Sequence, residues 1–353
     1  MTLCRSLLVA SALTAAVASQ APSVHVISPL GTEFFEANSA SDIMLGNWAP
    51  STRTQQIDNN LVGVPLPLVT SIGWRRNGTQ SAGAAKTTDL TVTMSHADYA
   101  LITNTFASNY KDPPQVVFAR RPVSLPDWNS PSGSVPSPID VVLGLDFPFV
   151  YNGVDALLWD VQNENNPLGI YTQDWASGTL AYTYGAFPFD TGAGCTTPNG
   201  AMNHRVALRA NATTFDMGFV VRNAPSSAIV ALLLGFQPAT IPVPGLCAPV
   251  LTQPVVSFDI GTTDAAGTVP LAFGFPLPWA PSLANITLYT QTFAADSSQP
   301  GLPIAMSNGL VSTTPNTGGP GQINIKRIYH TSNASAVTGT GPSVSAVVTL
   351  YGF

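Results

Sequence analysis

The chain has 353 residues, 45% of them hydrophobic, which is enough for two separately packed cores. Only 9% of the residues are charged, against about 25% in an average soluble protein, and the formal charge is −6. Three lysines and no basic run leave no phosphate-binding face, so nucleic acid is excluded as a partner; 29 glycines and 31 prolines exclude long helices.

The N-terminal stretch MTLCRSLLVASALTAAVASQAPS reads as a signal peptide over residues 1–18. Arg5 supplies the positive start, Leu7 to Val17 the short apolar core, and Ala16-Val17-Ala18 the small-x-small triplet that places cleavage before Ser19. The apolar run is shorter than the roughly 18 residues needed to span a bilayer, and no other segment is long enough, so no transmembrane segment is expected. The expected location is secreted or on the cell surface.

Residues 19–190 read as a first β module. Valine, threonine and aromatics recur between turn residues in SVHVISPL, LPLVTSIGWRRN, TTDLTVTMS, PQVVFARRPVSLP, IDVVLGLDFPFVY, VDALLWDVQ and GTLAYTYGAF. In DLTVTM, Leu90, Val92 and Met94 fall on one face and Thr91 and Thr93 on the other. The segment SHADYALITNTFASNY is read as a short helix or a polar crossover. Glu33 and Glu36, in GTEFFEANS, are read as a solvated loop.

The stretch FPFVYNGVDALLWDVQNENN, residues 147–166, concentrates three acids: Asp155, Asp160 and Glu164. Asn152-Gly153 is a two-residue turn signal, which predicts a hairpin with Phe149–Tyr151 against Val154–Ala156. On a regular strand Asp155, Leu157 and Trp159 share one face, and Ala156, Leu158 and Asp160 share the other. The acids then cannot converge as a glycosidase pair must. A calcium loop through Asp160 and Glu164 is the competing reading.

Residues 191–353 read as a second β module, opening at DTGAGCTTPNG and continuing through HRVALRANAT, FDMGFVVRN, SAIVALLLGF, PVVSFDI, TVPLAFGFPL and NITLYTQTFAAD. After STTPNTGGPG come two last strands, QINIKRIYHT and SVSAVVTLYGF. DIGTTDAAG lacks the closing glutamate of a calcium loop and is read as an Asx-type turn. Once Cys4 leaves with the signal, Cys195 and Cys247 remain, and two cysteines in an exported chain most simply pair with each other; two free thiols are the alternative. The expected fold is all-β, as two tandem β-sandwich domains of the jelly-roll or Ig-like kind. A terminal aromatic strand would also suit an outer-membrane barrel, but proline is too frequent for a barrel wall.

Several blocks carry a family resemblance in the same order along nearly all of the mature chain. RTQQIDNNLVG, VTSIGWRRNG, DLTVTMS, VVFARRPVSLP and PFVYNGVDALLWDV resemble a recurring N-terminal module of secreted, uncharacterised proteins of planctomycete-type bacteria. Gly192 to Cys195, Phe215 to Gly235, Pro244 to Cys247, Asp264 to Gly267, Leu283 to Gln291 and Ser307 to Leu310 resemble the C-terminal module of the same proteins. The resemblance implies export and a β fold, and no catalytic residue. The tail beyond Leu310 is longer than that pattern and leaves open whether the last strands join the second module or fold back on the first.

No GxSxG elbow, CxxC pair or clustered histidine gives a nucleophile, cofactor or metal motif; the histidines, His25, His96, His204 and His330, stand singly. No catalytic residue, metal or cofactor is therefore expected. The function expected is a non-catalytic surface or extracellular structural or adhesive protein. A carbohydrate-binding protein and a secreted hydrolase with a dispersed site are the alternatives. Polysaccharide or cell-envelope components are the partners this suggests. Trp128 in LPDWNSP and Trp175 in TQDWASG, both in predicted polar loops, are the candidate sugar-stacking platforms; the competing reading is that each covers an end of the core.

Overall fold

The computed structural model describes residues 25–353 apart from 47, 48, 66, 79–82, 131, 133 and 135. The expected signal peptide and its cleavage site lie outside the described residues. Among those described, the only helical turns are four short 3₁₀ segments at Asn59–Leu61, Tyr99–Leu101, Phe106–Asn109 and Pro281–Leu283. The protein is all-β. The two middle turns lie in the segment read as a helix or crossover, and they cross over one face of a sheet.

The chain opens with β1 (His25–Ser28), β2 (Ser39–Ser41), β3 (Thr52–Asp58), β4 (Leu68–Trp74), β5 (Lys86–Ala97), β6 (Gln115–Leu125), β7 (Val141–Val150), β8 (Ala156–Glu164) and β9 (Gln173–Ser177). Next come β10 (Thr179–Leu180), β11 (Thr183–Tyr184), β12 (Phe189–Gly192), β13 (Thr196–Thr197), β14 (Gly200–Ala201), β15 (Asn203–Ala210), β16 (Thr214–Arg222) and β17 (Ile229–Gly235). They are followed by β18 (Pro238–Ile241), β19 (Val250–Thr252), β20 (Val256–Thr262), β21 (Val269–Pro278), β22 (Thr287–Ala295) and β23 (Ile304–Thr313). The last strands are β24 (Gly321–Gln322), β25 (Ile325–His330), β26 (Thr340–Val347) and β27 (Thr349–Gly352).

An eight-stranded sheet runs in the order β2-β9-β26-β25-β3-β8-β5-β6, and a four-stranded sheet in the order β1-β27-β4-β7. They share one core, in which Leu90, Val92, Met94 and Trp159 meet Ile72, Trp74, Leu143 and Tyr351. The alternation read in DLTVTM holds, with Leu90, Val92 and Met94 inward. A second four-stranded sheet, β11-β15-β16-β21, and a five-stranded sheet, β12-β23-β22-β17-β20, share another core built from Val206, Leu208, Phe215 and Phe219 against Leu232, Leu234, Leu288 and Leu310. Among the described residues no sheet closes on itself.

The question left open by the tail is answered by pairing. β25 lies antiparallel to β3, β26 to β25 and β9, and β27 between β1 and β4. The chain thus builds most of the first two sheets, leaves to make the other two, and returns. The last strand expected as one unit, SVSAVVTLYGF, is two: it passes from one sheet to the other at Val348.

The expected hairpin at Asn152-Gly153 is corrected. β7 pairs with β4, and β8 pairs with β3 and β5, never with β7. The turn itself is real: Asn152 Oδ1 accepts from the backbone N–H of Val154 at 2.9 Å and of Asp155 at 3.0 Å, and Gly153 takes a positive φ of 68°. Its role is to carry the chain from one sheet to the facing one. An Asn-Gly turn signals reversal, not which partners the flanking strands choose. β8 is central and buried on both sides: Leu157, Trp159 and Val161 enter the main core, while Ala156 and Leu158 pack under Ile102 and Phe106. The parity read from sequence therefore holds.

Cys195 and Cys247 form a disulfide with Cα atoms 5.6 Å apart. Cys195 is buried with Met202 and Met306, and Cys247 lies at the surface. The Asx turn expected in DIGTTDAAG is present, with Asp264 Oδ1 accepting from Ala266 N at 2.9 Å and Thr268 N at 2.8 Å.

Candidate functional site

Trp128 follows β6 in a loop and is fully buried. Its ring stacks on Tyr171 at 4.0 Å, and its Nε1 donates to Asp140 Oδ2 at 2.7 Å. It therefore offers no exposed ring face and covers the end of the first core. Trp175 lies in β9, not in a loop, paired with Ser39 and Val347. The Arg327 guanidinium lies 4.5 Å from the centre of its ring. Arg327 is itself buried, and burial lowers its pKa to about 10, so it stays charged at neutral pH. One face of Trp175 is thus occupied by a cation.

The acids of the opening concentration serve the scaffold. Asp160 is buried and accepts from Arg53 Nη2 at 2.8 Å, Tyr110 OH at 2.7 Å and Gln55 Nε2 at 3.1 Å. Asp155 pairs with Lys111 at 2.6 Å near the surface, and Glu164 with Arg120 at 3.0 Å. Among the described residues no group of three His, Cys, Asp or Glu side chains could hold a metal ion. Glu36 is half-buried and tied down rather than freely solvated: it accepts from Ser137 N at 3.0 Å and from Gly78 N. Asp174, buried, takes Arg75 at 2.7 Å and the Ala37 backbone N–H at 3.1 Å.

Two histidines are held from both ring nitrogens. His96 Nδ1 faces Asp112 at 2.7 Å, while its Nε2 accepts from Asn152 N at 3.1 Å. That fixes the tautomer with the proton on Nδ1. His204 is fully buried, with Nε2 3.0 Å from Thr290 Oγ1 and Nδ1 3.0 Å from Ser307 Oγ. Burial lowers its pKa to about 4, so it is neutral. Ser307 is equally buried and also donates to Asn308 O at 2.8 Å.

One cleft does gather unlike groups. It has a volume of about 1080 Å³ and lies where β1 and the loop after it face β12, β15 and β16. Arg205 of β15 reaches Asp190 Oδ1 at 3.1 Å and Glu33 Oε1 at 3.5 Å. Asn308 Nδ2 also donates to Asp190, and Asn308 Oδ1 accepts from His204 N at 2.7 Å. A polar chain thus runs from the cleft wall through Asp190 and Asn308 to the buried His204. Burial raises the Glu33 pKa, against the pull of Arg205 and Arg222. Phe34, Ile139, Leu271 and Leu350 supply apolar wall.

Sequence reasoning singled out Glu33 only as a loop acid and missed Asp190 and Arg205. Their signal exists, as rare charges in a chain that is 9% charged, but nothing local links them. No protein-family model, no curated protein and no solved structure matches the chain.

Proposed function

We propose that the protein is an exported, non-catalytic structural or adhesive component of the cell surface or extracellular matrix. In this reading its sheets form two β-sandwich units of the jelly-roll or Ig-like kind, as in the secreted two-module proteins of planctomycete-type bacteria that it resembles. The observation that carries the reading is where the reactive side chains go. Asp160, Asp174, His96 and His204 are each held by neighbours from distant strands or loops. The Cys195–Cys247 disulfide suits an oxidising compartment. Surface biotinylation of the native cells tests it: the chain should be labelled with the envelope or matrix fraction. Recovery in the cytoplasm alone would sink the proposal.

A second reading, a hydrolase with a dispersed site, is favoured by one observation only: Glu33 and Asp190 converge on Arg205 with the Glu33 pKa raised. Assay against a panel of chromogenic glycosides and esters decides between them. Turnover that Glu33→Gln abolishes would replace the non-catalytic reading.

A further inference from the structure

A second cavity, of about 350 Å³, opens where β10 and β11 meet β24 and the loop before it. Among the described residues, no Asp, Glu, Lys, Arg or His lines it. Its wall combines the rings of Tyr182 and Tyr184 with the amides of Asn285, Asn316, Gln322 and Asn324. Those amides are exposed, and none of their side chains hydrogen-bonds to the described residues. Groups that neither pair with each other nor carry charge are free to meet a ligand.

The frame around them is fixed. Leu180 pairs with Gly321; Thr183 Oγ1 donates to Gly319 O at 3.0 Å. Arg209 sits 4.0 Å from the centre of the Tyr182 ring. The Tyr184 ring packs against Gly31, where a side chain would collide with it. The volume falls at the small end of the roughly 300–1,000 Å³ typical of ligand pockets.

We infer that this pocket binds a neutral saccharide unit, without catalysis. Uncharged amides both donate to and accept from sugar hydroxyls, and aromatic edges and faces cover the apolar C–H side of a ring. Arg209, on the Tyr182 ring, is already paired with Asp216 at 3.3 Å, so an anionic or cationic ligand would find no unpaired counter-ion in this wall. The inference goes beyond the surface role proposed above and does not depend on the cleft, which is charged and lies against other strands.

The test is retention of the mature chain on cellulose, chitin, mannan and xylan, with alginate and heparin as acidic comparisons. At least one neutral polysaccharide should retain it, equally at low and high salt. Asn316→Ala and Gln322→Ala, both at exposed positions, should weaken retention without lowering the melting temperature. Tyr182→Ala should weaken it about tenfold, as expected for loss of an aromatic contact; Tyr182→Phe controls for folding by keeping the stack on Arg209. No retention on any neutral polysaccharide overturns the inference. So does retention confined to the acidic ones, or retention that Glu33→Gln removes and the amide variants leave intact, which would assign binding to the cleft.

Discussion

The Tyr351 hydroxyl of β27 donates to Asp58 Oδ2 of β3 at 3.2 Å, and both residues are fully buried. The same hydroxyl accepts from Trp159 Nε1 at 3.2 Å. This contact joins the end of the chain to the centre of the facing sheet. Tyr351→Phe removes one donor from a buried acid and orphans the Trp159 N–H. It should cost about 1–3 kcal/mol in urea unfolding. A change within error would mean the pair is incidental to the packing.

The buried acids and the buried histidine should give opposite pH dependences. Burial raises Asp58 and Asp174 each to about 6, above the ordinary value of about 4. The folded chain then holds their protons more tightly than the unfolded chain. Their contribution is full below about pH 4 and is lost as pH rises through about 6. His204, lowered from 6.5 to about 4, behaves in reverse: its contribution is full above about 6.5 and is lost as pH falls through about 4. Asp58→Asn should flatten the falling component and His204→Asn the rising one, measured as unfolding free energy across that window. Identical slopes in both variants and the parent chain would contradict the assignment.

Asp155 and Asp160 are five residues apart and should behave quite differently. Asp160→Ala leaves Arg53 without its buried partner and should cost about 3–5 kcal/mol. Asp155→Asn breaks a solvent-screened pair with Lys111 and should cost no more than about 1 kcal/mol. EDTA should leave the melting curve of the parent chain where it is. A fall of several degrees that Asp160→Asn or Glu164→Gln abolishes would place a metal at this strand.

Leu157 and Leu158 point to opposite sides of β8, and each is fully buried. Either change to alanine should cost about 2–5 kcal/mol through lost burial and a cavity. A one-sided strand would show that loss at one position only, so comparing the two melts distinguishes the cases.

Closing the loop between Cys195 and Cys247, 52 residues apart in sequence, should contribute about 4 kcal/mol on the chain-entropy account. A non-reduced digest should yield the linked peptides, and the Cys195→Ala, Cys247→Ala double variant should unfold at correspondingly lower urea.

What could be read from sequence was local. Alternation in DLTVTM, the Asx turn at Asp264 and the parity of β8 all follow from periods and turn chemistry within a few residues. The pairing of two remaining cysteines needed only a count. What escaped was long-range. Asn152-Gly153 turns the chain, but its flanks pair with β4 on one side and with β3 and β5 on the other, and no local pattern encodes that. Trp175 reads as a loop residue because Asp174 precedes it, yet that acid is buried against Arg75. Glu33, Asp190 and Arg205 meet only once the sheets are stacked.

The placement of β27 between β1 and β4 also governs the order of assembly. His25 pairs with Gly352, and Thr349 with Trp74, so the four-stranded sheet cannot be completed until β27 has been made. Residues 183–313, in contrast, carry both strands of every ladder in the β11 and β12 sheets. During synthesis those two sheets can form while β1 and β4 still wait with a strand-wide gap between them. Loss of β27 would leave that gap unfilled, with two facing edges ready to accept a strand from another molecule.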